Sequence, residues 1–360
     1  MFDIHFYMQS HDLVNRMLNG ETFDHDFIVG QFEGMRRKEP VVYNIETTNA
    51  CNMKCKMCPR TTRMTRKVET IDKDTFIHII DQLRPWSKDE WSTWEKFVKE
   101  QYNIEKEEQS ENNFFLYIIP KVIQLHGYGD PLLDKNMSEY VKLLTERGFH
   151  SYFSCNPANI DLATTVRMFE NGLSYIKYSI ESVDDARHKE IRGDQSNFTQ
   201  SYNKILELIN LKKQRGLTTR IVITMLDLNN SWQEEEYQKL KAAFKDLDVY
   251  LYLKSEDQQW YRQNYHGTKS VHWSEICKHP WMSMTVKSNA EVVMCMEDYN
   301  NEIILGNAKE ESLYAIWNGD KYKAFREAHF NLSKGLKCSD ECDMHLVGEY
   351  LKGHPPIAKH

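Results

Sequence analysis

Cys51-Asn-Met-Lys-Cys55-Lys-Met-Cys58-Pro-Arg60 decides how the rest of the chain is read. Its three cysteines directly follow the apolar run Val41-Val-Tyr-Asn-Ile-Glu-Thr-Thr. A run of that kind bounded by a polar turn predicts a buried strand and then a loop. Thiols this close can converge on one metal centre but cannot all pair with one another as disulfides. A structural zinc site takes four protein ligands, and no fourth Cys or His lies near this loop. Three thiolates suit an iron–sulfur cluster in which one iron keeps an open position. A zinc knuckle is the competing reading.

The chain has 360 residues, room for one large or two modest domains with a sizeable core. Charged residues make up 28% and apolar ones 41%, an ordinary globular profile. The net charge of −7 argues against a nucleic-acid partner, which calls for a basic footprint. No apolar run is long enough to span a bilayer, and Met1-Phe-Asp-Ile-His-Phe lacks the features of a signal peptide. The expectation is a cytoplasmic protein, where clustered thiols mean metal or catalysis more often than disulfides.

Outward from the cysteine loop, residues 1–40 read as a short helical cap on the first strand. Residues 72–83 form a helix with Asp72 at its start. Residues 85–115 are polar, with Trp86, Trp91 and Trp94 among acids and lysines, and read as a surface insertion: a decorated loop, a lid or a docking arm. Strands then alternate with helices. Strands are predicted at 121–126, 150–154, 173–179, 219–224 and 249–253, with helices near 135–147, 160–170, 198–215 and 231–245. Repeated βα units argue for parallel strands. From Cys277 the texture changes to two short strands, 282–287 and 291–296, joined by Ser288-Asn-Ala, and then helices near 312–317 and 321–326.

The Cys-x-x-x-Cys-x-x-Cys loop after a first strand resembles the radical S-adenosylmethionine (SAM) superfamily. The resemblance implies an α/β partial (β/α)6 TIM-like barrel over residues 41–260, with Cys51, Cys55 and Cys58 holding a 4Fe-4S cluster. SAM would chelate the open iron and yield a 5′-deoxyadenosyl radical that abstracts a substrate hydrogen. Met57 would pack near the adenine.

Ligands of such sheets lie beyond the carboxyl ends of the strands. There Gly127-Tyr-Gly129-Asp130-Pro is similar to the family's Gly-Gly-Glu motif for the SAM amino group, with Tyr128 and Asp130 as departures. A plain βα turn is the other reading. Ser154-Cys155-Asn156 stands where relatives carry Ser/Thr-Asn-Gly. Ser179-Ile-Glu181 resembles the Ser-x-Asp/Glu that meets the SAM carboxylate and ribose, and Arg192 matches a family Arg-Gly. Arg192 could grip the SAM carboxylate or form an ordinary ion pair.

Cys277, Cys295, Cys338 and Cys342, with Pro280-Trp281, Gly306-Asn307 and Trp317-Asn318 around them, resemble the SPASM/twitch extension of radical SAM enzymes. That assigns residues 261–350 to an auxiliary-cluster domain and 351–360 to a tail, and implies a second 4Fe-4S cluster. A four-cysteine zinc site competes. Cys155 is left over: a hydrogen-atom donor to a substrate radical, or a small buried residue. Asp298 could orient substrate or act as a base, or cap the hairpin turn. His126 reads as a packed strand histidine.

The resulting expectation is a radical SAM oxidoreductase that oxidises a small-molecule alcohol such as a sugar or aminocyclitol, supplied with electrons by flavodoxin or ferredoxin. The alternatives are radical epimerisation through Cys155, peptide or protein modification, and a non-enzymatic metal-binding scaffold. Substrate and oligomeric state are not written in the residues.

Overall fold

The structure, a computed structural model, describes residues 1–18, 21, 23–228, 230–254, 277–330 and 335–340. Cys342 and the tail expected at 351–360 lie outside the described residues. Six strands, β1 (Val42–Ile45), β2 (Val122–Gln124), β3 (His150–Cys155), β4 (Tyr175–Ser179), β5 (Arg220–Leu226) and β6 (Val249–Lys254), pair in parallel in chain order. The sheet does not end at β1. β7 (Met284–Val286) pairs with β1 in parallel, and β8 (Glu291–Val293) and β9 (Ile304–Asn307) follow antiparallel. The nine-stranded order is β6-β5-β4-β3-β2-β1-β7-β8-β9, an open partial barrel with the C-terminal hairpin added at its first strand.

The helices between the parallel strands cover the outer face. Helix Phe198–Arg215 shows why: Ser201, Ile205, Leu208, Ile209 and Lys212 recur at helical spacing and are its buried stripe. Burying a leucine or isoleucine of this kind is worth about 1.5–3 kcal/mol, so Leu208→Ala would loosen the helix. Asn197 begins the helix by accepting from the Gln200 N–H at 2.9 Å, and Gly216 ends it in the left-handed region at φ 65°. The outer core includes Ile123, Leu125, Phe153, Ile176, Tyr178, Ile221 and Ile223, and continues without a break into Met284, Val292, Ile316 and Trp317 of the C-terminal module.

The alternate residues of the strands face inward, and what covers them corrects the reading of residues 85–115. This stretch is not a surface decoration. Helix Lys88–Tyr102 buries Trp94 and Val98, and the turn Phe114–Ile118 is buried along most of its length. Phe114 packs its ring against Tyr152, Tyr250 and Tyr252 of β3 and β6. Trp94 donates to Leu116 O at 2.6 Å and meets Phe2 and Tyr7 edge-on. Helices Ile4–Leu18 and His25–Met35 join this second core, and Phe32 carries it to Trp281 and Phe330 at the start and end of the C-terminal module. The average polarity of 85–115 concealed a helix with one apolar stripe.

Candidate active site

The first cysteine loop is fastened from three sides. From within, Thr48 and Asn49 form a platform: Asn49 Nδ2 donates to Lys67 O at 2.7 Å, and its Oδ1 accepts from Glu69 N at 2.7 Å. Arg60 Nε donates to Asn49 O at 2.9 Å. From β2, the Asp130 N–H donates to Ala50 O at 2.8 Å. From the segment after β4, Arg192 O and Ile191 O accept from the N–H groups of Lys54 and Lys56 at 3.2 and 2.9 Å. Cys55 is buried, while Cys51 and Cys58 are half-buried. Burial pushes the Cys58 thiol up to about 12, with neighbouring Cys55 adding to the effect. A thiol so placed is a ligand only when a metal centre takes its proton.

The donor chemistry fits an iron–sulfur cluster. Three thiols share the loop, Arg192 Nη1 donates to Cys55 Sγ at 3.7 Å, and Arg192 Nε is buried without a partner among the described residues. Among the described residues no three His, Cys, Asp or Glu side chains form a single-ion site. A cubane sets each thiolate on its own iron.

The other sequence-predicted residues divide. Met57 is half-buried within the loop, and Ser179 ends β4 at the sheet's carboxyl edge. Gly127 and Gly129 are demanded by the protein's own chain. A Cβ on Gly129 would stand 2.1 Å from Thr48 O, and one on Gly127 would stand 2.4 Å from Glu46 Oε1. Asp130 spends its carboxylate on the N–H groups of Leu132 and Asn156, both at 3.0 Å, and on Asn159 Nδ2 at 2.8 Å. Asn156 caps Ala158 N at 2.8 Å and donates to Ser196 Oγ at 3.2 Å. Ser196 also meets His188 at 2.9 Å.

Glu181 and Arg192 bond each other, and the second Glu181 oxygen accepts from Leu226 N at 2.8 Å. For Arg192 this is the ion pair that its sequence position also allowed. One edge of the guanidinium is already committed.

Cys155 is also placed differently. It follows Ser151 and Phe153 on the outer face of β3, lies within the outer core, and donates to Lys177 O at 3.7 Å. The side that holds Tyr152 faces the interior, so the thiol does not face the barrel lumen. Asp298 is fully buried, with its two oxygens accepting from Glu302 N and Ile303 N at 2.8 Å. It caps a turn, with each oxygen taking a backbone N–H.

In the C-terminal module Cys277 is half-buried, and Cys295 and Cys338 are buried. Cys295 feels the charge of both Cys338 and Cys277, and Cys338 that of Cys277. Burial pushes the Cys277 thiol up to about 11. Its own N–H donates to His329 Nε2 at 2.9 Å.

The residue missed in the sequence is Glu46. It is fully buried and grips Arg66 with both oxygens, at 2.8 and 2.9 Å. It also accepts from Tyr128 N at 3.1 Å, Ser288 N at 3.2 Å and Ser288 Oγ at 3.1 Å. Burial would raise its pKa, but Lys287, Arg66 and the Tyr128 N–H outweigh it and hold the carboxyl at about 2. Arg66 donates onward to Tyr299 O at 2.7 Å, Lys287 Nζ to Met296 O at 3.0 Å, and Tyr128 OH to Glu297 at 3.1 Å. The segment after Cys58, the loop after β2 and the turn between β7 and β8 thus meet on one carboxylate, and Arg66, Lys287 and Tyr128 carry the contact on to the loop after Cys295. A glutamate inside a strand's apolar run was the available signal.

Comparison with known proteins supplies the family. The radical SAM superfamily model matches residues 45–240, and that of SPASM, an iron–sulfur cluster-binding domain, matches 277–343. No curated protein sequence matches. Streptococcus suis SuiB aligns with TM-score 0.54 at 12% identity over 91% of this chain and 80% of that one. The protein anSMEcpe with bound AdoMet aligns with TM-score 0.50 at 12% identity over 84% of this chain and 85% of that one. BtrN in complex with AdoMet and 2-DOIA aligns with TM-score 0.49 at 16% identity over 88% of this chain and 97% of that one. At these identities the likeness is one of fold. With the family model spanning the cysteine loop and the parallel strands behind it, the chain belongs to the radical SAM superfamily, and its cofactors are a SAM-binding 4Fe-4S cluster, SAM and an auxiliary iron–sulfur cluster.

Proposed function

We propose that this chain oxidises an alcohol carbon of a small polyol or aminocyclitol by SAM-dependent radical chemistry and passes one electron to its C-terminal cluster. One observation carries the reading: the loop after Cys295 is fastened to the segment after Cys58 by Arg66 to Tyr299 O and by Thr65 N to Asn300 Oδ1 at 2.8 Å. Oxidation to a carbonyl removes a hydrogen atom, an electron and the hydroxyl proton. The hydrogen atom would go to C5′ of the deoxyadenosyl radical, giving 5′-deoxyadenosine, the electron to the C-terminal cluster and the hydroxyl proton to solvent.

SAM bound at the first cluster would supply a 5′-deoxyadenosyl radical, with the electron coming from a flavodoxin- or ferredoxin-type donor. Cys51, Cys55 and Cys58 would hold that cluster, and Cys277, Cys295, Cys338 and Cys342 would hold the second. Arg192 steadies the first loop through Cys55, and the aromatic floor under β3 and β6 keeps water from below. Epimerisation through Cys155 loses support, because that thiol faces the helices.

The test is anaerobic reconstitution followed by addition of SAM, dithionite and candidate polyols in deuterated water. 5′-Deoxyadenosine with a ketone or aldehyde product supports the reading. Solvent deuterium at carbon with no carbonyl would replace it with epimerisation, and absence of 5′-deoxyadenosine from fully iron-loaded protein would end it.

A further inference from the structure

The inner face of β1 and β2 carries polar side chains that the clusters do not use. Gln124 lies between Ile123 and Leu125, both in the outer core, so its amide points inward. Asn44 is its partner across the β1–β2 pair and shares that face. His126 stands two residues beyond Gln124, its ring edge-on to Tyr152 at 5.2 Å. Asn44 is 0% exposed and Gln124 3% exposed.

Asn44 spends its Nδ2 on His126 O at 2.8 Å. Its Oδ1, Gln124 Nε2 and His126 Nδ1 are all buried with no hydrogen-bond partner among the described residues. Three unpaired polar atoms on one strand face are expensive for a fold to keep. Burial, with the charge of Lys177, holds His126 at about 3, so its ring is neutral. Beneath the set lies the aromatic floor of Phe114 and Tyr152.

We infer that Asn44, Gln124 and His126 form the polar wall of the substrate site and take the hydroxyl groups of a neutral polyol ring. Gln124 Nε2 donates to a hydroxyl oxygen, and Asn44 Oδ1 accepts from a hydroxyl hydrogen. A carboxylate could meet the first but has no proton for the second. A hydroxyl meets both, and an aromatic floor suits the apolar face of such a ring. This rests on the proposed alcohol oxidation and names the part of the chain that would recognise the alcohol.

Gln124→Met keeps the side chain's length and removes its hydrogen-bonding atoms. The measurements are the melting temperature of the reconstituted protein with and without millimolar myo-inositol, and the perturbation of the cluster's EPR signal by SAM. The expected result is a ligand-free melting temperature no lower than that of the parent, higher by about 1–2 °C. Myo-inositol should stabilise the parent and not the variant, and the SAM-induced EPR change should persist. A fall of several degrees in the ligand-free variant would mean that the amide has a structural partner. Loss of the EPR change would assign it to the cofactor. Inositol shifts equal in both proteins, or present in neither, would remove the polyol. Formation of 5′-deoxyadenosine by the parent is read separately, so a failure of the radical chemistry is distinguishable from a failure of this wall.

Discussion

Glu46→Gln should uncouple the two halves of the molecule. The carboxylate is held at about 2 against 4.5 for an ordinary glutamate, in spite of burial, by Lys287, Arg66 and backbone N–H groups. A shift of that size corresponds to roughly 3 kcal/mol of stability at neutral pH. The sign follows from the depression: the contribution is fully present above pH 4.5 and is lost as pH falls toward 2. The amide retains shape but takes from Arg66 the carboxylate it grips and from buried Lys287 its larger counter-charge, leaving Asp298. Removal of one partner from such a site costs about 3–5 kcal/mol. Over the unfolding entropy of 360 residues, 3 kcal/mol lowers the melting temperature by about 4 °C. The damage should be local first, because Ser288 and, through Arg66, Tyr299 O lose their hold beside Cys295. Scanning calorimetry gives the first number. Iron and sulfide counts on the reconstituted protein give the second, with iron expected to fall toward the content of one cluster. A melting temperature within about 1 °C of the parent's, together with full iron, would refute the claim that Glu46 joins the modules.

Gly129→Ala has no room beside Thr48 O, so the cysteine loop must move; a cost of about 3 kcal/mol or more is expected, with loss of iron from the first cluster seen in its EPR signal. Cys155→Ala should cost only about 1 kcal/mol and leave turnover and product stereochemistry intact, as mass and NMR analysis of the product would report. Trp94→Ala removes the centre of the inner-face core and should cost about 3–5 kcal/mol, with faster hydrogen exchange across 88–102 and 114–118.

The outer half of this protein was legible from its residues because one periodicity governs it. Strands buried on both faces read as apolar runs, and the helices outside them carry single stripes such as Ile205-Leu208-Ile209. The inner half follows no local rule. Helix Lys88–Tyr102 is polar on average, and only its pairing with Phe114, Tyr7 and Phe2, segments distant in sequence, shows that Trp94 is core. The site divides in the same way. The spacing of Cys51, Cys55 and Cys58 is a local fact and survives. Which face of a strand Cys155 occupies depends on register, and a displacement of one residue from Ser154 separates the lumen from the helices. Glu181 and Arg192 illustrate a further limit. Their residue types suit SAM, but a buried carboxylate and a half-buried guanidinium eleven positions apart also suit each other, and nothing short of geometry decides between them. The pairing has a consequence for ligands: an anion that takes the Nη2 edge of Arg192 must compete with Glu181, whose second oxygen stays anchored to Leu226 N. Arg192 Nε, buried and unpaired, is the donor on that side chain that can be engaged without breaking the pair.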